Sequence, residues 1–280
     1  MSSYRFCRTD DIGLLVDALN RCWAPQFPDE PLMTAATFKQ SIRDRQVWCS
    51  SCMVAFAGAD PIGVLIGAKR PSGTLIHKIA VHPDHQRQGH GRHLLTSISS
   101  KLAILGPPRI VAEVPESFAA ACELFAASGY VEEAVLTDYA MNDAPIQVSD
   151  LPGRYVIPVT IDDLAANGLL ENAQPVCWER SIETLTARKD EVLGLAVVSD
   201  DQIEAAILYI TDGEILLLRS FIAESGARLG QLLSRLHARG VSQLRFAKVH
   251  PGEMSPDAIK TLGFLPIRTY RLYAAKAQAA

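Results

Sequence analysis

The sequence predicts an α/β fold, an α+β mixed sheet, repeated as two tandem units. Three observations predict it. Three strand-like runs joined by short turns lie between Val47 and Val81, and connections that short make an antiparallel meander. The third run leads directly through a glycine-bearing loop into a helical pattern. After a turn-rich break the same order of elements returns, at weaker similarity.

The elements of the first unit follow in order. Tyr4 to Arg8 reads as a short strand. The Asp10-Asp-Ile-Gly-Leu-Leu-Val-Asp-Ala-Leu-Asn20 segment has an acidic start and apolar residues at helical spacing. A loop carrying Pro25, Pro28 and Pro31 precedes a second helix over about Thr34 to Arg43. The meander strands are Val47–Phe56, Ile62–Ala68 and Thr74–Val81, joined by Gly58-Ala-Asp-Pro61 and Arg70-Pro-Ser-Gly73, both turn-like. A helix to about Leu105, a strand from Arg109, a helix from Ala121 closed by Gly129 and a last strand near Ala134–Met141 complete the unit.

The second unit repeats this order. Ile161-Asp-Asp-Leu164 echoes Thr9-Asp-Asp-Ile12, and the strands Leu193–Ser199 and Ile203–Ile210 echo the earlier hairpin. Glu214–Ile222, a helix at Leu229–Leu236, Leu244–Val249, Asp257–Phe264 and Tyr270–Tyr273 continue the parallel. The expected division is a first domain over 1–145, a linker over 146–154 and a second domain over 155–280.

The loop Gln86-Arg-Gln-Gly-His-Gly91 is the segment richest in chemistry. Glycines let backbone approach a ligand closely, and the first N–H groups of a helix have no intrahelical acceptor. A strand, such a loop and a helix N-terminus together make an anion site suited to phosphate. A dinucleotide loop fits poorly, because it wants Gly-x-Gly-x-x-Gly, and Leu94 stands at the third glycine. Glu113 does lie at about the distance expected of that motif's acidic residue, roughly 20 positions on. A strand-to-helix turn without a ligand is the plain alternative.

Gln86-x-x-Gly89-x-Gly91 after Ile79-Ala-Val81 resembles the acyl-CoA signature of the GNAT acetyltransferase superfamily. Ala121, Leu124, Gly129 and Tyr130 also match the family's Ala-x-x-Leu-Tyr-x-x-x-Gly-Phe segment. The resemblance implies that Ile79, Ala80 and Val81 lend backbone to a pantetheine arm. It implies that Gln86, Arg87, Gln88, Gly89, His90, Gly91 and Arg92 hold the pyrophosphate of acetyl-CoA, the expected co-substrate. It further implies a Val81 N–H that polarises the thioester carbonyl, and a pantetheine end lying where the strands Leu75–Val81 and Arg109–Val114 splay apart. Two positions depart from the family. Phe125 stands where a Tyr often serves as general acid, and Phe118 where an Asn often contacts the cofactor. The leaving thiolate then takes its proton from water or the product amine; Ser117, Cys122 and Tyr139 are side-chain donors that the spacing does not support.

An ammonium acceptor must lose a proton before it attacks. Glu113 is the first candidate base, and His77 the second, since alternation sets it on the strand face of Ile79 and Val81. A salt-bridged strand carboxylate and a hydrogen-bonded strand histidine are the structural alternatives. The counterpart loop in the second unit, Ala223–Gly230, lacks the spacing of the first, and Glu224 puts negative charge there. Gly226 and Arg228 are its remaining ligand-binding residues. The second unit then either supplies part of the acceptor pocket as half of an internal pseudo-dimer or acts as support.

A net charge of −4 and a pI of about 6.0 argue against broad nucleic-acid or anionic-membrane binding. The N-terminus has no apolar signal core, and no run approaches the ~18 apolar residues of a membrane span, so the expected location is the cytoplasm. The six cysteines form no disulfide framework. Cys49-Ser-Ser-Cys52 sits in a run read as strand, where residues three apart face opposite sides, so chelation there would need a local turn. His82-x-x-His85 and His90-x-x-His93 invite a zinc reading, but no acidic or cysteine ligand joins them at a familiar spacing, and no metal is expected. Some of these histidines are expected to rim the cofactor phosphates.

The leading function is an acetyl-CoA-dependent N-acetyltransferase acting by direct transfer on a small-molecule or peptide amine, as monomer or homodimer. The alternative is a non-catalytic acyl-CoA-binding or regulatory protein. The acceptor carries no sequence signature; its pocket is expected from the Pro25–Pro31 loop, the first two helices and the second unit.

Overall fold

The computed structural model describes residues 2–142, 153–170, 175–222 and 226–278. The chain forms two compact units, Met1–Ala134 with Arg271–Ala280, and Val135–Tyr270. These do not fall on the expected limits of 1–145 and 155–280. The chain's last strand contributes its C-terminal residues to the first unit, a long-range exchange that local patterning does not encode. Most of the expected linker, residues 146–152, lies outside the described residues.

The first unit contains β1 (Ser2–Phe6), α1 (Ile12–Cys22), α2 (Ala35–Arg45), β2 (Met53–Ala57), β3 (Asp60–Arg70), β4 (Gly73–Val81), α3 (His90–Leu105), β5 (Arg109–Pro115) and α4 (Ala119–Ala127), then the start of β6 (Val131–Met141). Thr34 caps α2 through a capping box with Thr37, satisfying N–H groups the helix cannot bond itself. The strands order as β1-β2-β3-β4-β5, with Arg271–Lys276 of the last strand beyond β5. On one face, Leu94, Leu95, Ile98 and Leu102 of α3 pack with Ile76, Ile110, Ala112, Val114, Phe125 and Tyr273 in one apolar core. The run read as a strand over Val47–Phe56 is interrupted by a 3₁₀ turn at Cys49–Ser51. Gly67 explains the break: a Cβ there would collide with the Ser51 backbone. The local turn that a Cys49–Cys52 site would need is thus present. Burial nevertheless raises the thiol pKa values of both cysteines, Cys52 most. Among the described residues no group of three or more His, Cys, Asp or Glu is arranged to hold a metal.

The second unit contains the remainder of β6, then β7 (Tyr155–Pro158), α5 (Ile161–Ala166), α6 (Ile182–Ala187), β8 (Leu193–Val198), β9 (Ile203–Tyr209), β10 (Glu214–Ser220), α7 (Gly226–Ala238), β11 (Leu244–Val249), α8 (Pro256–Thr261) and the start of β12 (Leu265–Lys276). The order β6-β11-β10-β9-β8-β7 buries two apolar cores, one against α7 and α8 and one against α5 and α6. Among the described residues no helix is long and apolar enough to cross a membrane.

Each unit pairs one parallel set of strands, and in each the pairing is brief. β4 and β5 pair through Thr74 with Ile110 and Leu75 with Val111, although β4 continues to Val81. β10 and β11 pair through Glu214 with Arg245 and Ile215 with Phe246. Each also carries a bulge beside that point. Register steps from Ile66 opposite Lys78 to Gly67 opposite Ile76, leaving His77 as an extra residue. It likewise steps from Tyr209 opposite Ile215 to Leu208 opposite Leu217, leaving Leu216. A bulge bends its strand and ends regular pairing, so the two strands part beyond it.

Candidate active site

The parting of β4 from β5 leaves backbone groups on an open edge. The N–H of His82 donates to the carbonyl of Ile62 across β3 at 2.9 Å. Bonded pairs alternate along an antiparallel ladder, so Val81 and Ile79 turn their own N–H and C=O groups the other way, toward the gap. The Val81 carbonyl accepts from the side-chain amides of Gln26 and Gln86, each at 3.2 Å. Its N–H is left to meet an incoming carbonyl or amide.

The loop after β4 has the conformation its residues anticipated. Arg87 and Gly89 are left-handed, at φ +60 and +88, and Gly89 is the residue preceding α3. The first bond to reach back into the loop runs from the N–H of His93 to the carbonyl of Gly89 at 3.0 Å. The N–H groups of His90, Gly91 and Arg92 therefore precede any intrahelical acceptor and face outward from the helix start. A Cβ on Gly91 would stand 3.0 Å from Leu124, so glycine lets α3 approach α4 here.

These groups line one cavity of about 470 Å³. All the expected cofactor residues lie on it except Gln88, whose amide instead bonds the Asp84 carbonyl at 3.3 Å. His85 is among the histidines expected at the cofactor, but sequence reasoning missed Gln26, Glu123, and the face of α4 formed by Ala120, Ala121, Leu124 and Ala127. The last had a readable signal, small residues at helical spacing after a strand. Gln26 had none, because it reaches the site through a contact 55 residues away. Volume, open-edge backbone, a helix start and two exposed guanidinium groups fit an extended ligand ending in phosphates. Arg87 lies 3.6 Å from Glu123, with both side chains well exposed, so solvent screens that pair.

The histidines divide by role. His85 and His90 both line the cavity, but the His90 side chain is buried and its Nδ1 lies 2.6 Å from the Tyr4 hydroxyl. Burial, and then the nearby His85 and His93, hold the His90 pKa below its ordinary value. His93 instead lies against the Tyr4 ring, tilted by 33° at a centroid distance of 3.7 Å.

The two candidate bases stand away from the cavity wall. Glu113 is half-buried on β5. Ile110, Ala112 and Val114 of that strand enter the α3 core, so Glu113 faces the opposite side of the sheet. For His77 the alternation argument fails at the bulge. Ile76 and Ile79, three residues apart, both pack on the α3 core, which strict alternation forbids. His77 cannot be assigned to the face of Ile79 and Val81 by counting. Phe125 is a core residue, edge-on to Tyr130 and stacked on Tyr273 at 5.8 Å.

Residues 14–130 match the model of the Acetyltransferase (GNAT) family. The first unit is a GNAT domain. No curated protein matches the sequence. Among solved structures, a GCN5-related N-acetyltransferase from Sphaerobacter thermophilus shares 16% identity over 99% of this chain and 96% of its own, at a TM-score of 0.70. A tandem GNAT protein from the clavulanic acid biosynthesis pathway shares 17% identity over 100% of both chains, at 0.65. A putative acetyltransferase from Pyrococcus horikoshii shares 15% over 99% of this chain and 90% of its own, at 0.60. Likeness at these identities speaks for the fold, which is that of two tandem GNAT units.

In the second unit ion pairs stand near the end of β11 and at the start of α7. The buried Arg180 forms a bidentate pair with Glu253 at 2.5 and 2.6 Å. It also donates to the carbonyls of Ala247 and Lys248 at the end of β11, at 2.8 and 3.2 Å. Arg228, expected as a residual ligand group, bonds the buried Glu204 at 2.5 Å, which holds that carboxyl below its usual range. Glu224 lies outside the described residues.

Proposed function

We propose that the protein is an acetyl-CoA-dependent N-acetyltransferase whose donor site is the cavity of the first unit. The observation that carries this reading is the union of an open β4 edge at Ile79–Val81 with the left-handed loop and helix start at Arg87–Arg92 on one cavity. Bound acetyl-CoA supplies the activated acyl group. The chain supplies position and charge. Ile79 and Val81 would pair their backbone with the pantetheine amides. The N–H groups from Arg87 to Arg92 and the guanidinium groups of Arg87 and Arg92 would hold the pyrophosphate. The Val81 N–H would polarise the thioester carbonyl, stabilising charge that grows as the amine attacks.

The donor cavity lies on the α3 and α4 side of the sheet, so the amine approaches through the gap from the other side. Glu113 faces that side and is the candidate base, with His77 retained as second. No hydroxyl stands at Phe125, so the departing thiolate takes its proton from water or from the product amine. The small or peptide amine acceptor and the direct transfer belong to this reading.

The test mixes acetyl-CoA with an amine panel and follows free thiol. Amine-dependent thiol release is the expected result. Tight CoA binding with no release across a broad panel would instead favour an acyl-CoA-binding or regulatory protein, the reading that Phe125 favours.

A further inference from the structure

Beside the parted ends of β4 and β5 the first unit carries an aromatic wall. Trp23 and Phe27 stack at 4.1 Å with an interplanar angle of 14°. Phe27 meets Phe118 at 4.9 Å. Gln26 bonds the Val81 carbonyl at the end of β4, which fixes the neighbouring Phe27 there. Phe118 immediately precedes α4, and its N–H bonds the carbonyl of Pro115 at the end of β5. The Phe27–Phe118 contact therefore spans the two strands that part at the site.

A carboxylate stands behind this wall. Glu30 Oε2 accepts from the indole N–H of Trp23 at 2.9 Å and from Lys78 at 3.1 Å. Lys78 also lies over the Trp23 ring, 3.7 Å from its centre. Both hydrogen bonds fall on Oε2, so Oε1 keeps its capacity for a further cation. The Asn20 amide bonds Met33 through both of its ends.

We infer that this wall is the acceptor subsite and selects a primary amine carried on a flat apolar body, of the arylalkylamine class. The inference rests on the acyl-transfer reading above. The exposed Phe118 ring welcomes an apolar plane, and Glu30 draws in the ammonium. A hydroxyl-rich aminosugar would leave polar groups desolvated against rings that cannot bond them. A linear polyamine offers no plane to the rings, and Glu30 already shares its charge with Lys78.

The test is calorimetric titration of the full chain, saturated with CoA, with 2-phenylethylamine, glucosamine and spermidine as probes. The expected result is at least ten-fold tighter binding of 2-phenylethylamine than of either comparator. Phe27→Ala should weaken it at least ten-fold with CoA affinity unchanged, which also reports that the unit remains folded, and Phe118→Ala should weaken it as much. Glu30→Gln should weaken 2-phenylethylamine and leave neutral 2-phenylethanol unaffected. Equal or tighter binding of glucosamine or spermidine, no binding of 2-phenylethylamine, or indifference to both phenylalanine variants overturns the inference. Bound 2-phenylethylamine without thiol release from acetyl-CoA would count against acyl transfer alone and leave the subsite standing.

Discussion

The side-chain amide of Gln26 donates at once to the carbonyl of Cys22 at 2.8 Å and to that of Val81 at 3.2 Å. One side chain thus ties the end of α1 to the end of β4, where the donor cavity begins. A hydrogen bond of this kind contributes about 1 kcal/mol. Gln26→Ala should weaken CoA binding by about 3- to 10-fold on that scale, read by calorimetry. Unchanged affinity would mean that Gln86 alone holds the Val81 carbonyl.

Gly89 sits at φ +88 with open space around its Cβ direction. Any loss on substitution there is conformational. Gly89→Ala should cost about 1–2 kcal/mol of stability through left-handed strain, seen in urea melts, and should weaken CoA more than ten-fold. A variant with wild-type stability and affinity would show that the loop tolerates another path.

His90 gives a pH dependence whose sign follows from its burial. Its pKa is lowered in the fold, so below about pH 6.5 the unfolded chain binds the proton more readily. Its contribution to stability is whole above that pH and is lost as pH falls toward the folded pKa. Melting temperatures of the wild type should drop more steeply between pH 7.5 and 5.5 than those of His90→Gln. Parallel profiles would remove His90 from the effect.

Arg180 is buried and the Glu253 side chain nearly so, with side-chain exposures of 1% and 9%. Removing one partner leaves the other charge uncompensated. Glu253→Ala should destabilise the protein by about 3–5 kcal/mol, measured by chemical denaturation. A loss below about 1 kcal/mol would match an exposed pair instead.

Glu113→Gln keeps the shape of the side chain and removes its basicity. If Glu113 takes the acceptor's proton, turnover should fall by about 10²- to 10⁴-fold and the acidic limb of the pH–rate profile should disappear. An unaltered profile would transfer the role to His77 or to water.

Much of the candidate donor site was legible because it is local. Residues 79–92 are contiguous, and strand, glycine loop and helix start impose their geometry over short range. The order of elements was legible for the same reason: apolar periodicity and turn residues report local structure directly. Three features were not. The bulge at His77 arises from how β3 and β4 register, and register depends on the partner strand. The unit division depends on Arg271–Lys276 joining the first sheet from the far end of the chain. Glu253 closes on Arg180 from 73 residues away.

The sequence by itself determined that a glycine-bearing loop follows a strand meander, within a fold repeated twice, and that the second copy lacks the Gln-x-x-Gly-x-Gly spacing. Only the tertiary structure decided what surrounds that loop. It brought Gln26 to Val81, put Phe27 against Phe118 across the parted strands, and set Arg180 at the end of β11 in the second unit. The physical reason is range. Backbone conformation follows from neighbours in sequence, whereas a pocket is made by side chains that meet only after distant segments pack.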